Sequence, residues 1–123
     1  MIAKIIISAN EDETRMGLLE NGILMEYLVE RKEEQHLVGS VFKGKVCNVV
    51  RGIQAAFVDI GLEQNAFLYL GGKKDVTEGQ SLIVQISKDA RGTKGPTATR
   101  EITLPGRYVV LLPQADYVGI SRK

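Results

Sequence analysis

The sequence predicts an all-β protein, with a small five-stranded barrel over about Leu37 to Leu112 preceded by a strand and a β-hairpin. Three observations lead there. Strand-like runs recur at short spacing while sustained helical periodicity is scarce. Glycine is frequent, 13 residues against three prolines, which favours tight turns and bulges over extended linkers. The hydrophobic fraction of 44% supports a real core in a chain of 123 residues.

Ile2 to Ala9 reads as the first strand. Arg15 to Leu19 and Ile23 to Val29 are apolar runs flanking Asn21-Gly22. Asn-Gly supplies the two positive-φ positions of a type I′ turn, so these runs form a hairpin. Arg31 to Gln35 is charged and reads as a connection. A strand and a hairpin make three antiparallel strands with one face needing cover. They either pack on the barrel or belong to a second domain. The chain thus divides into residues 1–35 and 36–123.

The barrel strands are expected at Val41 to Val50, Ile53 to Ile60, Asn65 to Leu70, Ser81 to Ser87 and Tyr108 to Leu112, punctuated by Gly52, Gly61, Gly71-Gly72 and Gly79. That size and count fit an OB-type Greek-key barrel, a pattern other small five-stranded barrels share. A short helix or turn is expected in Gly71 to Glu78. Asp89 to Arg100 is polar, carries Gly92, Gly95 and Pro96, and reads as a loop that is mobile in the free protein.

Charge is segregated along the chain although the net is only +1. Glu11 to Glu34 holds eight acids against Arg15, Arg31 and Lys32, a net of −5. Ser40 to Ala56 holds Lys43, Lys45 and Arg51 with no acid, a net of +3. Lys88 to Arg107 holds five bases against Asp89 and Glu101, again +3. A basic face can therefore exist on a nearly neutral protein. The single cysteine, Cys47, allows no intramolecular disulfide and fits a reducing, cytoplasmic compartment. The apolar start stops at Ile7, too short for a signal peptide, and no stretch approaches a membrane span.

The period of two sorts the side chains of the second and third barrel strands. Ala56, Val58 and Ile60 share one face with a purely aliphatic character, as do Ala66, Leu68 and Leu70. These faces belong inside. Ala55, Phe57 and Asp59, and Asn65, Phe67 and Tyr69, then lie outside. Two phenylalanines on a polar outer face suit the stacking of unpaired bases, with basic side chains following the phosphates. Lys43 and Lys45 share a face of the first barrel strand. Arg91, Lys94 and Arg100 lie in the loop after the fourth. A structural reading stands beside this one. A bulge near Gly61 would turn both rings into the core, and strand lysines also serve to blunt an exposed edge.

His36 is the only histidine and has no partner spacing. Neither a metal-ligand cluster, nor a phosphate-binding glycine motif, nor a Ser/His/Asp set can be read. No catalytic constellation is expected within these 123 residues.

Lys43-Gly-Lys45, Gln54-Ala-Ala-Phe-Val-Asp-Ile-Gly61, Asn65-Ala-Phe-Leu68, Val84-Gln-Ile86, Arg91-Gly-Thr-Lys-Gly95 and Gly119-Ile-Ser-Arg122 together resemble the N-terminal part of the bacterial ribonuclease E/G family. The resemblance covers essentially the whole chain. It implies that the barrel is an S-one-type RNA-binding domain inserted into a ribonuclease-H-like subdomain, whose first strands are residues 1–35. It also implies that Phe57, Phe67 and Lys94 grip single-stranded RNA. A tyrosine found in some members three positions after the first phenylalanine is Ile60 here. The family cleaves RNA with Mg2+ held by aspartates of a later DNase-I-like domain. A sensor of the RNA 5′ monophosphate and a Zn2+-linking cysteine motif also lie beyond the barrel. The resemblance therefore implies a fragment of a magnesium-dependent endoribonuclease that acts in RNA processing and decay. The fragment itself needs no cofactor, is inactive alone, and oligomerises only as part of the full-length protein with its C-terminal catalytic domains. The alternative is a stand-alone OB-type adaptor that binds protein or another polyanion.

Overall fold

A computed structural model describes residues 1–34 and 36–122. Its backbone contacts divide the chain into two compact units, Met1–His36 and Leu37–Lys123.

The first unit is an antiparallel meander of β1 (Ala3–Ala9), β2 (Glu13–Glu20) and β3 (Ile23–Arg31). The expected Asn21-Gly22 turn joins β2 to β3, with φ of 50° and 82°. Asn21 also ties the turn to the first strand. Its side-chain oxygen accepts from the Ile2 N–H at 3.1 Å, and its own N–H donates to the Ile2 carbonyl at 2.9 Å. At the other end, Asn10 Oδ1 accepts from the backbone N–H groups of Asp12 and Glu13 and closes the β1–β2 turn. Ile5, Ile7 and Leu28 each remain more than half exposed on this sheet. The connection expected at Arg31 to Gln35 begins on the last residue of β3 and continues as one 3-10 turn, Lys32–Glu34. Gln35 lies outside the described residues.

The second unit contains a closed barrel. Its strands are β4 (Val41–Val50), β5 (Ala55–Asp59), β6 (Ala66–Tyr69), β7 (Ser81–Lys88) and β8 (Thr97–Thr99). The closed order is β4-β5-β6-β8-β7, with β6 and β8 parallel and every other pair antiparallel. This mixed five-stranded barrel is consistent with an OB-fold. Ten residues of β4 serve two neighbours. Val41 to Lys45 pairs with β7, and Lys45 to Val50 pairs with β5. A bulge between Val46 and Asn48 bends the strand as it passes between them.

The aliphatic faces point inward as the period of two requires. Val46, Val58, Leu68, Val84 and Ile86 are buried in one core with Ala56, Ala66 and Ala98. Gly44 occupies an inward position of β4, where a Cβ would collide with the Val58 side chain. The absent side chain lets β4 and β5 approach. In the 71–78 segment turns form and no helix does. The segment nevertheless plugs the barrel with the fully buried Val76. The Arg51 guanidinium donates to the Val76 carbonyl at 3.0 Å and holds it there.

The fifth barrel strand differs from the sequence expectation. Tyr108 to Leu112 does not enter the barrel. Val110–Leu111 (β10) pairs only with Leu104–Pro105 (β9), in a separate two-stranded ribbon. The closing strand is Thr97–Thr99, inside the segment expected to be a loop. Three residues suffice because Ala98 is small enough to fit inward while Thr97 and Thr99 face out. Before it, the chain makes a tight turn. Arg91 and Lys94 exchange both backbone hydrogen bonds at 2.9 Å. After β8 the chain crosses β7, where the buried Gln85 clasps it. Its amide donates to the Thr103 carbonyl at 2.9 Å and its oxygen accepts from the Thr103 N–H at 2.8 Å.

Candidate nucleic-acid interface

Phe57 and Phe67 face each other across β5 and β6 in register. Their ring centroids are 5.9 Å apart with planes at 77°, an edge-to-face pair. Both rings are half-buried, whereas their strand neighbours Ala56, Val58, Ala66 and Leu68 are fully buried. The rings therefore lie on the outer wall and not in the core. The bulge that could have turned them inward falls instead on β4, between Val46 and Asn48.

Register extends this pair into a row around the barrel. Asn48 opposes Phe57, Phe57 opposes Phe67, Phe67 aligns with Thr97, and Thr97 opposes Lys88. One row thus runs from an amide through two aromatics and a hydroxyl to an ammonium. That sequence of groups offers π-faces for bases and a cation for phosphate.

The turn that carries Arg91 and Lys94 is fastened beside the start of β6. Gln64 Nε2 donates to the Gly92 carbonyl at 3.1 Å. Gly95 passes so close to the Asn65 carbonyl oxygen that a Cβ would overlap it. The next residue, Pro96, accepts from the Phe67 N–H at 2.8 Å. These contacts bring the basic turn to the aromatic row. A cleft of about 610 Å³ opens beside it, lined by Lys88, Asp89, Arg91, Lys94 and Thr97 among others.

Lys43 and Lys45 are exposed on the outer face of β4. Lys45 stands in register opposite Asp59, which tempers its charge. Asp59 Oδ1 in turn accepts from the Gly61 N–H at 2.8 Å and shapes the turn after β5. Arg100 follows β8, so register puts it beyond the opposite end of β6 from the Lys94 turn. It pairs with Asp75, its Nη1 lying 3.1 Å from one carboxylate oxygen and 3.3 Å from the other. That hydrogen bond holds the Asp75 carboxyl below the usual carboxylate range.

The structure thus gathers Phe57, Phe67, Arg91 and Lys94, and leaves Lys43, Lys45 and Arg100 at the margins. Sequence reasoning passed over two residues. Lys88 joins the row only through the shift in register between Ile86 and Lys88, which no local pattern announces. Tyr69 was legible, since it follows Phe67 by two residues on the same face. Among the described residues, no group of three or more His, Cys, Asp or Glu side chains is placed to hold a metal ion. Among the described residues, no helix is long and apolar enough to cross a membrane.

A closed five-stranded mixed barrel, here with an outward aromatic pair beside a basic turn, is the architecture of an OB-type barrel. The whole chain is homologous to ribonucleases G and E, as the N-terminal part of that family would be. Ribonuclease G of Escherichia coli (strain K12) is 40% identical over 144 aligned residues, covering all of this chain and 29% of the relative. Ribonuclease G of Haemophilus influenzae is 36% identical over 141 residues and 98% of this chain. Ribonuclease E of Buchnera aphidicola subsp. Schizaphis graminum is 33% identical over 138 residues, which is 97% of this chain and 14% of the relative. The chain therefore spans under a third of the length of these relatives. No protein-family model matches it.

Proposed function

We propose that this chain is the single-stranded-RNA-gripping part of an endoribonuclease of the ribonuclease E/G family, acting in cytoplasmic RNA processing and decay. The observation that carries this reading is the outward Phe57–Phe67 pair in one row with Lys88, beside the fastened Lys94 turn. Two successive bases stack on the rings. Lys88, Arg91 and Lys94 take phosphates on one side, and Lys43, Lys45 and Arg100 add weaker, screened attraction from the margins. The homology to ribonucleases supports RNA as the ligand.

In this reading the three strands of Met1–His36 are the opening of a ribonuclease-H-like subdomain. Hydrolysis belongs to the rest of a full-length protein, with Mg2+ at its catalytic aspartates, Zn2+ at its linking cysteines, and oligomerisation there. The barrel supplies position and affinity.

The test is a titration of the isotope-labelled chain with a short oligouridylate at low salt, followed by amide NMR. Shifts concentrated at Phe57, Phe67, Lys88 and Arg91 to Lys94 are expected. Unmoved signals at these residues would sink the reading. Equal competition by heparin would favour an adaptor for another polyanion.

A further inference from the structure

We infer that Tyr69 is a third stacking position, which extends the bound strand by one nucleotide past Phe67 toward Lys73 and Arg100. The inference rests on the RNA-binding reading and adds a subsite to it. Tyr69 shares the outer face of β6 with Phe67 and stands two residues, about 6.7 Å, further along the strand. That step suits one nucleotide of an extended single strand, the spacing at which successive bases meet successive platforms.

The ring is open to a ligand and fixed in place. Its residue is 63% exposed, against the half-buried Phe67. Its hydroxyl donates to Gln54 Oε1 at 3.3 Å, and Gln54 is itself set by a left-handed backbone (φ 52°) at the start of β5. The Leu70 N–H donates to the Gln54 carbonyl at 2.7 Å, so backbone and side chain of one residue both brace this end of β6.

The surroundings supply cations. A cleft of about 320 Å³ lies between the ends of β6 and β8, and Tyr69, Lys73, Thr99, Arg100 and Glu101 line it. Asp75 neutralises part of Arg100 but also anchors its guanidinium beside the cleft. Lys73 carries the remaining positive charge of the wall, and Glu101 is its one carboxylate. Bases at Phe57, Phe67 and Tyr69 would then run from the Lys94 turn to the Lys73–Arg100 end.

Binding of labelled oligouridylates of increasing length to the 123-residue chain at low salt tests this. The wild type is compared with Phe67→Ala, Tyr69→Ala and Tyr69→Phe. Phe67→Ala is expected to weaken every length. Tyr69→Ala should leave the shortest binding oligomer unaffected and weaken longer ones by roughly ten-fold or more, with Tyr69→Phe close to wild type. If Phe67→Ala weakens binding while Tyr69→Ala matches wild type at every length, the third position is lost and the RNA-binding face stands. Equal weakening of short and long oligomers by Tyr69→Ala also overturns it, because that is a structural effect. If no oligomer binds, or Phe67→Ala changes nothing, the RNA-binding reading itself falls.

Discussion

Gln64 Nε2 donates to the carbonyl oxygen of Gly92 at 3.1 Å, tying the turn that bears Lys94 to the residues leading into β6. One residue beyond Gln64 and three beyond Gly92, the constraint tightens. Gly95 sits against the Asn65 carbonyl with no room for a side chain. The position of Lys94 is therefore set by backbone packing against the strand that carries Phe67.

Gly95→Ala should displace the turn. Overpacking against a backbone carbonyl is expected to lower stability by about 1–3 kcal/mol and to weaken RNA binding at the same time. Thermal unfolding and a binding isotherm on the same variant check both. A stable variant that binds RNA like wild type would contradict the coupling.

Phe57→Ala and Phe67→Ala should each weaken binding of a short single-stranded RNA by about 1–3 kcal/mol. The two rings touch edge to face, so the double variant should lose less than the two single losses combined. A double-mutant cycle by fluorescence anisotropy measures this. Strict additivity would mean that the rings bind independently.

Lys94→Ala should reduce the dependence of log affinity on log salt by about 0.7, the share of one phosphate contact to a single strand. Titrations at several salt concentrations give the slope. Lys43→Ala, at the margin, should change it less.

The Asp75 carboxyl is held low by its hydrogen bond to Arg100. A depressed folded value means that the charged form is favoured in the fold. The contribution of the pair is then fully present above the ordinary aspartate range, near pH 4, and is lost as pH falls through the lower folded value. Carboxyl NMR should show Asp75 titrating below the usual range, and returning toward it in Arg100→Gln. An unchanged midpoint in that variant would rule out Arg100 as the cause.

Much of this molecule is legible in its residues. Alternation over Ala56 to Ile60 and Asn65 to Leu70 separates an aliphatic inside from an outside bearing Phe57 and Phe67, and the barrel has that polarity, except that Ala55, expected outside, is fully buried at the start of β5. Asn21-Gly22 marks the hairpin, and the turn forms there with both residues at positive φ. These features are local. A two-residue period or a left-handed pair needs no knowledge of the rest of the chain.

The tertiary structure alone decided which segment closes the barrel. Tyr108 to Leu112 has the stronger strand pattern, yet Thr97-Ala-Thr99 fills the gap between β6 and β7. Closure selects for fit between distant strands, where one small inward residue outweighs a longer apolar run. It also decided that Lys88 joins the aromatic row and that Arg100 is spent partly on Asp75. Such partners come from parts of the chain with no common period. The amino-acid pattern by itself marked an aliphatic inside and offered Phe57 and Phe67 an outer face; only the closed barrel, with its bulge on β4, decided that both rings stay there and which groups stand beside them.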